Sequence, residues 1–392
     1  MAGPLAGVRV LDLTRALAGP YGSMILGDLG AEIIKVEARE TEWDALGVYR
    51  AMGMTKQFAG LQRNKKSMTL DLKTQKGKEI FYELVKGADV VFDNYRPDVP
   101  ERLGVDYDTL SKINPRIICC SITGFGSTGP YRNRPSYDLI AQAIAGGLSV
   151  TGEPGGPPCR AGMPIGDKGG GVFAAIGILA ALHARDQSGV GQKVETSLME
   201  SQVALMSYVA GQYLAGGGVP QAEGSGHRAA VPYGAYKTED GYIAIAAMMK
   251  FPELCTVLGR EDLLKDERFA APVERFMNRH DLDAILDEAF PSRTSDEWMK
   301  LLVEQDIPCS PVYSLDQTVS DPQVLDRKMV VTVQLDDGDE TKIIGNPIKM
   351  SGTPCDTYET VASVGRNTDE ILSGLLGYSQ GEIEQLRREE VI

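Results

Sequence analysis

The chain has 392 residues, 43% hydrophobic and 24% charged, which supports a sizeable core and excludes global disorder. Its formal net charge of -14 argues against a broad nucleic-acid-binding face, yet an anionic small ligand could still meet local positive groups. Three scattered histidines and six cysteines without a CxxC pair make no metal motif, and the cysteine usage points to a reducing, cytoplasmic setting.

Residues 8–13 read as a buried parallel strand, and 17–22 as a turn opening a helix through Met24, Ile25 and Leu26. Residues 31–37 read as a second strand, giving a βαβ unit. Glu37 at that strand's end suggests a ribose contact, but no GxGxxG follows the first strand, so a dinucleotide site is unsupported. The start, MAGPLAGVRVLDLT, lacks a signal-peptide layout. Residues 40–62 have mixed polarity and read as an irregular excursion. The cluster Arg63-Asn64-Lys65-Lys66 reads as a solvated surface, with a phosphate contact as the alternative.

A strand over 67–72, a helix over 76–85 and a strand over 88–93 follow. The last runs into Asn94-Tyr95-Arg96-Pro97, and strand carboxyl ends are where open α/β sheets bind ligands. Short helical stretches at 100–103 and 110–114 precede a strand at 117–122 and a glycine-rich turn at 124–130, which has no GKS or GKT ending. A helix is expected over 137–143.

Residues 160–171, RAGMPIGDKGGG, place Asp167 among glycines ahead of an apolar run. Asp167 therefore either caps the following helix or is a reacting group with space cleared around it, the glycines permitting unusual backbone angles. The run from Gly169 to Leu182 is too short for a convincing membrane span and suits tight helix packing. A strand at 192–197 and an apolar helix at 199–214 lead to glycine-rich linkers near 215–218 and 224–226. A hairpin turning at Asp240-Gly241 comes next, then helices at 251–258, 277–289 and 295–305. Strand-like runs at 309–313, 330–333 and 342–344 precede two short tail helices beyond Asn367.

No G-x-S-x-G elbow, Ser-His-Asp spacing, H-E-x-x-H or EF-hand pattern is present. A carboxylate nucleophile needs less sequence context, only desolvation and donors aimed at the developing oxyanion.

Several ordered stretches resemble the class III coenzyme A transferases, the formyl-CoA transferase and carnitine CoA-transferase family. They are LAGVRVLDLTRALAGPYGSMILGDLGAEIIKVE, RNKKSMTLDLKTQKGKEIF, ADVVFDNYRPDVPERLGVDYDTL, ITGFGSTGPYRNRPSYDLIAQAIAGG and GDKGGGVFAAIGILAAL, with VPYGAYKTEDGYIAIAA beyond them. The look is similar to the succinyl-CoA-dependent dicarboxylate transferases of that family.

The resemblance implies an α/β fold with a Rossmann-like large domain, a smaller α+β domain and an interlocked, ring-like homodimer. It implies domain limits of 1–215 and 331–392 for the large domain and 225–330 for the small one. Asp167 would be the nucleophile, attacking an acyl-CoA thioester and passing through a mixed anhydride and an aspartyl-CoA thioester. CoA contacts would fall to Arg15, Ala16, Arg39, Leu70, Asn94, Tyr95 and Arg102, with no tightly bound cofactor, no metal, no nucleic acid and no membrane. Acyl-CoA and a carboxylic acid would be the partners.

Two departures stand out. Family racemases carry a histidine where this chain has Tyr137, and the glycine-rich lid of formyl-CoA transferase is replaced by Ala246-Ala247-Met248-Met249-Lys250. Tyr137, Asp138, Gln142 and Lys250 are candidate pocket residues, Lys250 as a holder of a substrate carboxylate. An acyl-CoA racemase or epimerase and a non-catalytic CoA-binding subunit are the competing readings.

Overall fold

Six short strands, four of them rich in Val, Ile and Leu, pair into one wholly parallel sheet, the pattern expected of strands covered on both faces. The computed structural model describes residues 3–38 and 59–392. The strands are β1 (Arg9–Asp12), β2 (Glu32–Glu37), β3 (Lys65–Thr69), β4 (Val90–Asp93), β5 (Ile118–Thr123) and β6 (Lys193–Ser197), in the order β3-β2-β1-β4-β5-β6. Side chains alternate between two cores. Leu11, Ile34, Met68 and Val91 pack on one face, Val10, Ile33, Val90 and Phe92 on the other.

The second face is covered by α1 (Ala18–Asp28), the first by α2 (Gln75–Lys86), whose Ile80, Phe81, Leu84 and Val85 are buried and whose N-cap Thr74 accepts the Gly77 N–H. The helices Thr368–Leu376 and Gln380–Arg388 return to that first face through Ile371, Leu372, Ile383 and Leu386. Beyond β5 come α3 (Asp138–Ile144), α4 (Ile165–Ser188), α5 (Leu198–Leu205) and α6 (Ser207–Leu214). The expected single helix over 199–214 is thus two, because the Met206 N–H tightens onto both Gln202 and Val203 carbonyls and closes α5. This is an α/β fold.

By contacts the chain divides into two units. One comprises Met1–Gly147, Arg160–Gly218 and Pro322–Ile392, and it also holds the hairpin β10–β11 (Val330–Gln334, Glu340–Ile344). The other comprises Leu148–Cys159 and Val219–Asp321. Its antiparallel sheet β7-β8-β9 (Tyr233–Lys237, Tyr242–Ala246, Cys309–Pro311) packs a core of Ile243, Phe251, Phe290, Trp298 and Leu302. The Asp240 carboxylate ties the hairpin turn to the helix Ser295–Glu304, accepting the Ser295 N–H at 2.8 Å and the Thr238 hydroxyl at 3.1 Å.

The basic cluster at 63–66 is neither a solvated face nor free for phosphate at its two most buried members. Arg63 and Lys65 are 3% and 5% exposed. Arg63 makes a two-pronged ion pair with Asp28 (2.8 and 2.7 Å), and Lys65 reaches Asp12 at 3.3 Å and the Ser23 hydroxyl at 2.8 Å. Their carboxylate partners sit 35 and 53 residues earlier, too far for local sequence pattern to reveal. The helix α4 is longer than its apolar run suggests, 24 residues, and by length and composition alone could cross a membrane. It is instead half buried against α1, β5 and β6, as a core helix.

Candidate functional site

The strand order reverses between β1 and β4, so the segments following these strands flank a crevice at their carboxyl ends. Here the backbone of the first turn is pinned by side chains. The Asn94 carboxamide accepts the Arg15 N–H and donates to the Arg15 carbonyl, both at 2.8 Å. The residue before it, Thr14, donates its N–H to Asp12 (2.9 Å), and its carbonyl accepts Lys35 Nζ (2.8 Å). Four consecutive polar backbone groups are therefore satisfied from the side, which fixes an irregular turn that has no sheet or helix ladder to hold it. Ala16 follows with φ 58°, a left-handed conformation rarely adopted by a residue with a Cβ.

Beneath the turn lies Asp12, wholly buried. Burial would raise its carboxyl, but the charges of Lys65 and Lys35 and the hydroxyls of Ser23 and Thr14 outweigh that and hold it below its ordinary value. Lys65 is pulled down to about 8 by the same burial, with the Asp12 charge opposing.

A cavity of about 930 Å³ opens beyond the carboxyl ends of β1 to β4. Arg15, Leu70 and Tyr95 line it, together with Glu37, Lys73, Leu103, Thr368 and Arg387. The Arg15 guanidinium lies over the Tyr95 ring, 5.7 Å from its centroid. Asn94 contributes by holding Arg15. Arg102 is exposed and 3.5 Å from Asp98, and its neighbour Leu103 rather than Arg102 itself lines the cavity. Arg39 lies outside the described residues. Lys73 and Arg387 are lining residues that the motifs do not reveal: Lys73 follows β3 at its carboxyl end, a position that marks it, whereas Arg387 arrives from the last helix and carries no such signal.

Asp167 stands in the first turn of α4, partly buried. The helix's N-cap is Pro164, and the cap is supplied from elsewhere: Asp138 Oδ1 accepts the N–H groups of Gly166 (2.9 Å) and Asp167 (3.3 Å). Gln142, 1% exposed, donates to the other Asp138 oxygen at 2.7 Å and accepts the Ala161 N–H at 3.0 Å, so α3 holds the segment leading into α4. Among the described residues the Asp167 carboxylate itself accepts no hydrogen bond, so it is no helix cap. Burial, reinforced by the Asp138 charge and opposed by Lys168, pushes it up to about 6.

The glycines have a different purpose from the one their spacing suggests. None of Gly166, Gly169, Gly170 and Gly171 has positive φ. A Cβ on Gly171 would fall 2.6 Å from the Ala18 carbonyl oxygen, and one on Gly22 would fall 2.9 Å from that of Gly171. They let α1 and α4 approach closely. Gly166 likewise faces Asp138 and Ala141 of α3.

Tyr137 is 78% exposed at the start of α3. Lys250 lies in the other unit, 3.3 Å from Asp306 and 3.6 Å from Glu253, beside Met249, which is strongly exposed. Among the described residues no group of three or more His, Cys, Asp or Glu side chains is arranged to hold a metal.

Residues 5–368 match the pattern of CoA-transferase family III. The mouse succinyl-CoA:glutarate CoA-transferase is 37% identical over 98% of this chain and 89% of its own length. The succinyl-CoA–D-citramalate CoA-transferase of Chloroflexus aurantiacus is 34% identical over 99% of this chain and 98% of its own. A CAIB/BAIF family protein from Brucella suis superposes with a TM-score of 0.84 at 33% identity, covering 96% of this chain and all of that one.

Proposed function

The chain belongs to CoA-transferase family III and is a class III CoA-transferase; we propose that it moves CoA from succinyl-CoA to a second carboxylic acid through covalent intermediates on Asp167. The observation that carries this reading is the division of labour at the start of α4. Asp138 takes the capping role, and the Asp167 carboxylate is left without a hydrogen bond among the described residues, partly desolvated.

The Asp167 carboxylate adds to the thioester carbonyl, and the C–S bond breaks to give a mixed anhydride and CoA thiolate. The thiolate attacks the aspartyl carbonyl, releasing succinate and leaving an aspartyl-CoA thioester. The acceptor carboxylate then attacks that thioester, forming a second anhydride and freeing the thiolate again. Attack of the thiolate on the acceptor's carbonyl gives the new acyl-CoA and restores Asp167. Each step conserves an activated acyl group, provided water is kept from the anhydride.

The nucleotide end of CoA suits the cavity at the β1–β4 ends, where Arg15 and Lys73 meet phosphate oxygens and Leu70 and Tyr95 supply apolar surface. Ala16, Asn94, Arg39 and Arg102 complete the proposed contacts. Tyr137 is proposed to face the acyl group, and Asp138 and Gln142 to shape its pocket. Val172 and Ile176 on α4, Val203 on α5, and Tyr208 and Leu214 on α6 are each exposed apolar side chains, and their number supports a homodimer in which a second copy covers them. The six free cysteines suit a cytoplasmic setting.

The test incubates the protein with succinyl-CoA and a panel of acids and follows new acyl-CoA by mass. Transfer is expected, with an Asp167–CoA thioester that hydroxylamine cleaves to an Asp167 hydroxamate and free CoA; a fully active Asp167→Ala variant would refute the nucleophile.

A further inference from the structure

The residue after the nucleophile is a lysine whose charge the steps above do not use. Lys168 is partly buried, and its Nζ lies 3.7 Å from the centroid of the Tyr21 ring. It makes no ion pair with a carboxylate side chain among the described residues. A cation over an aromatic face keeps its charge while giving up part of its water shell, and so still seeks an anion.

The packing fixes where that charge points. Gly171 meets Ala18, Gly22 and the Tyr21 ring edge, so the α4 face carrying Gly171 is turned toward the start of α1. Lys168 and Asp167 stand three and four residues before Gly171, on that same face. Tyr21 in turn follows the turn that holds Arg15 and Ala16. The nucleophile and the ammonium are near enough that each shifts the other's proton affinity: Asp167 opposes the burial that lowers Lys168, and Lys168 opposes the burial that raises Asp167. An acyl group whose carbonyl carbon reaches Asp167 thus has a cation within a short carbon chain of its reacting end.

We propose that Lys168, seated on Tyr21, binds the remote carboxylate of a dicarboxylic acyl group and makes this enzyme selective for dicarboxylic over monocarboxylic acids. The proposal rests on the transfer reading above and names its substrate class. Lys168 replaces no part of the chemistry. It holds the far end of the acid while the near carboxylate reacts, and its neutral replacement leaves a charged substrate group without a partner.

The test uses succinyl-CoA as donor and compares glutarate with butyrate as acceptors. In a transfer through a covalent enzyme–CoA species, kcat/KM for the acceptor reports the second half-reaction alone, so the donor's own carboxylate cancels. The wild-type protein should prefer glutarate. Lys168→Gln should lower the glutarate-to-butyrate ratio of kcat/KM by about ten- to hundredfold, the size of one charge-assisted hydrogen bond. Lys168→Arg, which keeps the charge, should retain most of the preference, and Tyr21→Leu should lose part of it. A ratio unchanged in Lys168→Gln, or a wild-type protein indifferent between the two acids, overturns the proposal while leaving CoA transfer intact. An equal loss for both acids with a displaced pH profile would mean that Lys168 only tunes Asp167, and also overturns it. Absence of transfer to any acid by the wild-type protein would instead overturn the transfer reading itself.

Discussion

Asp138 and Asp167 are joined through a backbone N–H rather than carboxyl to carboxyl: Asp138 Oδ1 accepts the Asp167 N–H at 3.3 Å, and its charge adds to the burial that raises the Asp167 carboxyl. One carboxylate thereby builds the helix end and sets the readiness of the other. In Asp138→Asn the acceptor can persist but the charge is gone, so the acid limb of kcat/KM for acyl-CoA should move to lower pH. Asp138→Ala should in addition cost about 1 kcal/mol of stability for the lost cap. A limb that stays in place in Asp138→Asn would mean that another group titrates.

The wild-type profile itself should show that acid limb near pH 6, because Asp167 in its proposed role attacks only when ionised. Asp93 is a second carboxyl pushed up to about 6, by burial, with Ser121 and the Tyr95 N–H opposing. The Asp138 charge is not among the influences on Asp93, so the response to Asp138→Asn tells the two apart.

Replacing the proposed nucleophile should separate activity from stability. Asp167→Asn is expected to lower transfer by roughly 10³-fold or more. A carboxyl raised from 3.8 to about 6 binds more protons folded than unfolded between those values, so its ionisation costs stability that is fully spent above pH 6 and absent below pH 4. Asp167→Asn should therefore unfold at higher temperature than wild type at pH 7.5, by up to about 2 kcal/mol after discounting partial exposure, with the gain vanishing near pH 4. Calorimetry at both pH values checks the sign.

Asn94 shapes the turn more than it meets a ligand. Asn94→Ala frees the Arg15 N–H and carbonyl, and it should raise KM for acyl-CoA about tenfold with a smaller change in kcat. Steady-state kinetics decide; an equal fall in kcat would place Asn94 in the chemical step.

Two glycines should answer oppositely to alanine. Gly171→Ala drives a methyl to 2.6 Å from a carbonyl oxygen on α1 and should destabilise by about 2–4 kcal/mol. Gly374, exposed in the helix Thr368–Leu376 with nothing within 4 Å, should stabilise by about 0.5–1 kcal/mol when made alanine. Denaturant unfolding measures both.

What could be read from the chain was local. Apolar runs of four to six residues mark β1, β2, β4 and β5, and the 3–4 spacing of Ile80, Phe81 and Leu84 marks α2 within a residue of its ends. What could not be read were partnerships. Nothing near Arg63 or Lys65 in sequence announces Asp28 or Asp12, so two buried ion pairs look like a solvated cluster. Asp167 looks like a cap because its true cap, Asp138, stands 29 residues upstream. The glycines after Asp167 carry no mark telling close helix packing from loop freedom; only Ala18 and Gly22 across the contact do.

The strand order has a further consequence for how the protein is made. All six strands of the parallel sheet are synthesised by Ser197, yet Ile371, Leu372, Ile383, Leu386, Val391 and Ile392 belong to the core on one of its faces. During vectorial synthesis that face is covered only in part, by α2, while some 170 further residues, including the whole insertion Val219–Asp321, emerge from the ribosome. Nonsense mutations between Ser197 and the final helices would yield a sheet that is paired but incompletely covered, and prone to aggregate rather than merely inactive.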